Sequence, residues 1–272
     1  MDNQQKANAK TRRHEDAKKT KKDFYFSSLL RVFVPSRLRV CVFFCCITAI
    51  SVGCDRSANV ATARPVVAAG SCVVRGVVKF DGPTPAPKVI GGECCQGSAP
   101  VMDESLVVGE SGGLKNVVVF IKDGPNLDLA MGKDRVLTQR NCQYVPHVMA
   151  VRAGQNVVVS NHDATMHNVL MQQDGTEVGN LEEIPQMSHA VHFDQPGLVR
   201  FKCNVHAWMT GYVYVFDHPC FAVTDENGRF EIGNLPAGTY TLVAWQEKVG
   251  SQEMTVTVGG DKPAEVTIVY HP

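Results

Sequence analysis

The chain has 272 residues, 44% of them apolar and 7% aromatic, enough for ordinary hydrophobic cores in one or two domains, which excludes disorder as the default reading. Its formal net charge of zero divides into an excess of +7 over residues 1–53, where eleven Lys and Arg face four acids, and −7 over the remaining 219 residues. A basic start followed by an acidic body argues against nucleic acid as a partner and for a targeting segment that is removed.

In chain order, Lys18, Lys19, Lys21, Lys22, Arg31, Arg37 and Arg39 precede an apolar run from Val40 to Gly53. That run is too short to span a bilayer comfortably, and residues 1–54 read as an export signal. It ends in Ile50-Ser51-Val52-Gly53-Cys54, which resembles a bacterial lipobox, although Ser51 stands where that pattern prefers a branched aliphatic residue. Lipidation at Cys54 with anchoring to a membrane, plain secretion and an uncleaved anchor therefore all stay open, and the expected location is the periplasm or cell envelope. Residues 55–70 read as a linker. Once Cys41, Cys45, Cys46 and Cys54 are assigned to the signal, Cys72, Cys94, Cys95, Cys142, Cys203 and Cys220 remain in a compartment that permits disulfides.

Beyond Cys54 no helical stripe is convincing, while short β-rich runs recur between Gly, Pro and Asn-Gly punctuation, so the expected class is all-β. The runs are Val73–Phe80, Asn116–Lys122, Gln155–Ser160, Ala190–Phe193, Leu198–Cys203, Gly211–Phe216, Arg229–Ile232, Thr239–Trp245, Met254–Val258 and Glu265–Tyr270. Asn227-Gly228 is expected to supply the positive φ angles of a tight hairpin.

The most informative stretch is Phe201-Lys202-Cys203-Asn204-Val205-His206-Ala207-Trp208-Met209, where a thiolate, an imidazole and a thioether donor fall within seven residues. A soft thiolate favours copper, imidazole suits both of its oxidation states, and a weak axial thioether completes the trigonal arrangement used for electron transfer. Strand alternation puts Val199, Phe201 and Cys203 on one face, so the thiol points with the apolar side chains. A fourth ligand is needed from another strand. His167, in Met166-His167-Asn168, is the best placed, with His147, His162, His189 and His192 as competitors; His147 and His162 read more simply as structural or turn residues. Trp208 reads equally as an exposed docking aromatic and as packing.

The series Gly154-Gln155-Asn156-Val157, Asn161, His167-Asn168, Pro196-Gly197, Cys203, His206, Met209 and Gly211 resembles the cupredoxins, with a ligand loop closest to the amicyanin type. The resemblance implies His167, Cys203 and His206 as equatorial ligands and Met209 as the axial ligand of one type 1 copper. It also implies Asn168 as the residue that ties the two ligand loops together. Residues Ala222–Ile232 and Leu235–Leu242 resemble the carboxypeptidase regulatory-like module, a small transthyretin-like β-sandwich of the carbohydrate-binding-like group, whose opening strands resemble Val74–Phe80 and Val117–Ile121. The expected architecture is thus a Greek-key cupredoxin sandwich (131–216) inserted in or next to a regulatory-like sandwich formed by 71–130 and 217–272. The combination resembles cupredoxin-like proteins loosely labelled as related to methylamine utilisation. Asp225, Asn227 and Gly228 read as turn chemistry rather than a calcium or sugar site.

Cys142 lies just ahead of the expected copper domain and Cys94 with Cys95 in the preceding half-sandwich, so Cys142 is expected to pair with one of them. Closing that loop of about fifty residues is worth roughly 4 kcal/mol in the entropic model. Cys72 and Cys220 are candidates for a second bridge.

The expected function is one-electron transfer to and from redox partner proteins rather than enzymatic turnover, because three strong ligands and a weak fourth leave no position for substrate. The alternatives are an envelope protein that binds carbohydrate or adheres, with structural copper, and copper storage or delivery.

Overall fold

The computed structural model describes residues 64–92, 99–260 and 262–272; the segment expected to be an export signal, Cys54, Cys94 and Cys95 lie outside the described residues. Among those described no helix forms, and the protein is all-β. The strands before residue 135 are β1 (Val66–Val67), β2 (Cys72–Phe80), β3 (Val89–Gly91), β4 (Val101–Met102), β5 (Val118–Ile121) and β6 (Asn126–Leu127). Next come β7 (Arg135–Arg140), β8 (Gln143–Val145), β9 (Val148–Arg152), β10 (Val157–Asn161), β11 (His167–Gln173), β12 (Thr176–Glu183), β13 (Ser188–Val191), β14 (Gly197–Lys202) and β15 (Thr210–Phe216). The chain ends with β16 (Phe221–Val223), β17 (Arg229–Leu235), β18 (Gly238–Gln246), β19 (Gly250–Val258) and β20 (Ala264–Tyr270).

Strands β7 to β15 build two sheets, ordered β13-β10-β7-β8 and β12-β11-β14-β15-β9. Two further sheets, β16-β5-β18-β19 and β17-β2-β20, join β2 and β5 from one side of this block to strands from the other side. The reason lies in the alternation of β2: Cys72, Val74, Gly76 and Val78 face inward while Arg75 and Lys79 face solvent. Its inward face is covered by residues such as Phe230, Ile232, Leu242 and Ile268, which follow residue 216. Val66–Val67, inside the stretch expected to be a linker, pairs in parallel with β6.

Three cores result. One lies inside the β7–β15 sandwich, around Leu137, Val159, Val169, Phe201 and Val213. A second lies inside the other sandwich, around Val74, Ile121, Leu242 and Tyr270. The third is a seam between the two, where alternation sends Val213 and Val215 of β15 into the first core and Tyr212, Tyr214 and Phe216 to the opposite face. There Phe216 stacks on Tyr214 and Phe221, with ring centroids 4.6 and 4.8 Å apart, and Phe120 approaches Phe216 at 4.8 Å. Strand β9 belongs to both, with Met149 and Val151 in the first core and Val148 and Ala150 in the seam.

Two expectations are corrected. Asn227-Gly228 does not close a hairpin, because β16 and β17 lie in different sheets and the turn carries the chain from one to the other. The Asp225 carboxylate accepts the N–H groups of Asn227 and Arg229, and Gly228 alone of the pair takes a positive φ, +73°. A Cβ on Gly228 would sit 2.2 Å from the carbonyl oxygen of Val78, so only glycine fits this close crossing. Cys72 and Cys220 are both buried free thiols, so they form no bridge.

Beside the seam His218 is 3% exposed, its Nδ1 accepting the Cys220 N–H at 3.1 Å and its ring 5.3 Å from that of Phe216. Burial pushes its pKa down to about 4, against the pull of Asp217. Below pH ~6.5 the unfolded chain therefore gains a proton that the folded chain does not accept until about pH 4. Stability is expected to fall across that window by about 3 kcal/mol, from 1.36 kcal/mol per pKa unit. Urea midpoints measured from pH 7 to 4.5 check this: His218→Asn, which keeps an acceptor but does not titrate, should flatten the decline, and an equally steep decline in the variant would assign it to other groups.

Candidate metal centre

The donor residues arrive from three adjoining pieces of one sheet. His167 opens β11, Cys203 directly follows β14, and Met209 directly precedes β15. As the alternation requires, Val199, Phe201 and Cys203 are all buried on one face, so the sulfur enters the core's edge. The loop from 203 to 209 is closed on itself: the Cys203 N–H donates to the Met209 carbonyl at 3.1 Å, and the Met209 N–H to the His206 carbonyl at 2.9 Å. His167 is fully buried, Cys203 and Met209 nearly so, and His206 half-buried.

Three donor atoms converge. His167 Nδ1 lies 3.1 Å from His206 Nδ1, and the Cys203 sulfur lies 4.0 and 3.7 Å from those two nitrogens. The point equidistant from the corners of a triangle with these sides is about 2.1 Å from each, the length of a metal–imidazole bond and close to that of a metal–thiolate bond. The donors present thus fit a single metal ion, and one thiolate with two imidazoles is the trigonal set that suits type 1 copper. Met209, the expected axial ligand, is buried in the same core as Cys203.

The surroundings favour a thiolate. The Asn168 N–H points at the Cys203 sulfur at 3.5 Å, and the Asn168 side-chain oxygen accepts the Asn204 N–H at 3.1 Å, linking the His167 strand to the Cys203 loop. Burial alone would push the Cys203 thiol up, but the His167 ring, the Asn168 N–H and His206 outweigh it and bring it down to about 6. For His167 burial again opposes the charge, and its hydrogen bonds with Cys203 and Asp163 reverse that, raising its pKa. Either way the pair holds a thiolate facing imidazoles, ready for a cation.

The competing histidines are engaged elsewhere. His147 pairs with Glu247 and lies edge-on to Tyr212, His162 Nε2 is 3.0 Å from Ser160 Oγ, and His189 Nδ1 is 2.7 Å from the buried carboxylate of Glu183. His192 is exposed beside Asp194. Trp208 is no free docking aromatic, because its ring lies so close to Gly91 that a Cβ there would meet it at 2.6 Å. Cys142 also has its sulfur within 4.8 Å of one ring nitrogen each of His167 and His206, but it is disulfide-bonded, and a neutral disulfide sulfur does not supply the anionic donor that Cys203 does. Its expected partners, Cys94 and Cys95, lie outside the described residues.

Asp163 is a residue that the sequence alone does not single out. Its Oδ2 lies 2.8 Å from His167 Nε2, and the only signal for it was its place four residues before the histidine.

Residues 134–216 match the family of copper binding proteins described as plastocyanin/azurin. This segment is similar to the cupredoxins. Residues 217–271 match the carboxypeptidase regulatory-like domain. Among solved structures, amicyanin from Paracoccus versutus is 19% identical, with 36% of this chain and 96% of that one covered and a TM-score of 0.28. A purple cupredoxin from Nitrosopumilus maritimus is 20% identical over 31% of this chain and 99% of that one, TM-score 0.28. The Cu-containing nitrite reductase from Thermus scotoductus is 17% identical over 32% of this chain, TM-score 0.29, and the match spans a quarter (25%) of the reductase. No curated protein matches the chain. The donors described above fit one type 1 copper, in keeping with the copper-binding family that this segment matches.

Proposed function

We propose that this chain is an exported one-electron carrier, with His167, Cys203 and His206 as the strong ligands of its copper and Met209 as the weak axial one. The observation that carries the reading is the convergence of one buried thiol and two imidazole Nδ1 atoms on a common point. Copper there supplies a reversible one-electron couple. The chain's own residues keep the donor set unchanged as the charge changes: Asn168 bridges the two loops, the Cys203–Met209 and Met209–His206 hydrogen bonds brace the ligand loop, and the core around Phe201 excludes water. Such bracing favours transfer of an electron over binding and turning over a substrate. His206 reaches the surface beside exposed Val205, with exposed Met166 beside His167. That apolar rim suits brief contact with redox partner proteins. The Cys142 disulfide agrees with an oxidising compartment, such as the periplasm or envelope, reached through the signal ahead of Cys54.

Potentiometric titration of the copper-loaded protein tests the reading. One electron per copper, with superimposable oxidative and reductive curves, is expected. Loss of copper on reduction, or failure of the reduced protein to reoxidise, would replace the carrier by a storage or structural role.

A further inference from the structure

We propose that Asp163 is a positioning residue of the copper centre: its carboxylate fixes the His167 imidazole through Nε2–H and places a negative charge behind that ligand, which favours the oxidised, more positive metal. The proposal rests on the copper reading above and adds a residue to it.

With His167 Nδ1 turned toward Cys203 and His206, the ring proton belongs on Nε2, where Asp163 Oδ2 accepts it at 2.8 Å. The carboxylate is itself held. The N–H of Asn141 donates to Oδ1 at 2.6 Å, and the N–H of Cys142 donates to Oδ2 at 2.9 Å, the oxygen that also faces His167. Both donors come from the turn between β7 and β8, where Asn141 and Cys142 have φ of +53° and +50°. Successive left-handed residues are uncommon outside glycine, and here they turn two N–H groups onto one carboxylate. The opposite side of the loop is secured by Asn161, whose side-chain oxygen accepts the Asp163 N–H while its amide donates to the carbonyls of Thr165 and Glu183. Asp163 is 7% exposed, so solvent screens its charge little.

A neutral acceptor in this place would orient the ring as well as a carboxylate does. Only the carboxylate also raises the basicity of the imidazole and adds charge that Cu(II) feels more than Cu(I). The cysteine bearing one of the two N–H donors is disulfide-bonded, so the turn that aims the carboxylate is covalently fixed as well.

Asp163→Asn keeps the shape and one acceptor oxygen and removes the charge. The copper-loaded variant is expected to keep one copper and the thiolate-to-copper band, and at a fixed ambient potential to shift the Cu(II)/Cu(I) ratio at least tenfold toward Cu(I), about 59 mV for one electron. An intact band with an unmoved potential would overturn the proposal. Should the variant fail to fold or to bind copper, the wild-type protein decides: in its diamagnetic Cu(I) form the His167 Nε2–H is expected as a downfield proton in slow exchange with water, and rapid exchange would defeat the proposal. Absence of any thiolate-to-copper band in copper-loaded wild type would instead defeat the copper reading on which it rests.

Discussion

Replacing Cys203 by serine is expected to abolish the thiolate-to-copper absorption completely and to lower copper affinity by orders of magnitude, while the metal-free protein stays folded. The band requires a sulfur donor, and a serine hydroxyl is too weak an acid to replace the thiolate as an anion at neutral pH. The fold is expected to survive because the change is nearly isosteric at a position that is 3% exposed, and the Asn168 N–H facing the sulfur remains available to the new oxygen. A cost of about 1–2 kcal/mol is the scale for such a buried polar exchange. Visible spectra and circular dichroism of the loaded and metal-free variant check both halves. A blue Cys203→Ser protein would remove Cys203 from the centre.

Phe216→Ala is expected to destabilise the protein by roughly 3–5 kcal/mol, the range for a buried aromatic truncated to alanine. Phe216 is 4% exposed and stands in the middle of the seam, against Phe120, Tyr214, His218 and Phe221, which come from both sides of residue 216. Both the transfer of the ring and the cavity left among stacked neighbours count against the variant, since rigid aromatic partners collapse poorly into the space. The copper absorption should be unchanged, because the neighbouring residues Val213 and Val215 face the copper domain's core while Phe216 faces away from it. Urea unfolding of the metal-free protein reads the first expectation; a loss below about 1 kcal/mol would mean that the seam contributes little to folding.

The copper loop was legible because its chemistry is local. Three soft or borderline donors within seven residues are uncommon, and the alternation of Val199, Phe201 and Cys203 already oriented the thiol. All ten runs named from β-rich composition overlap strands, although runs such as Asn116–Lys122 and Ala190–Phe193 extend beyond β5 and β13. Other strands were illegible for physical reasons. In β9, Val148, Met149, Ala150 and Val151 are all buried because the strand packs on both faces, so no alternation marks it. In β12, Thr176-Glu177-Val178-Gly179-Asn180 is mostly exposed and polar, and only pairing with β11 makes it a strand. Asn227-Gly228 carried the right local conformation at Gly228 but not the destination of the chain, which is decided by which sheet the next strand joins. Asp163 was missed because a carboxylate in a turn usually serves the turn; its second partner, His167, becomes visible only once the loop is folded.

The measurement that bears most directly on the centre is the visible absorption spectrum of the wild-type protein titrated with Cu(II). One intense thiolate-to-copper band that rises linearly and stops at one copper per chain is the predicted result. A colourless protein, or copper taken up while Cys203 still reacts freely with a thiol reagent, would contradict the assignment.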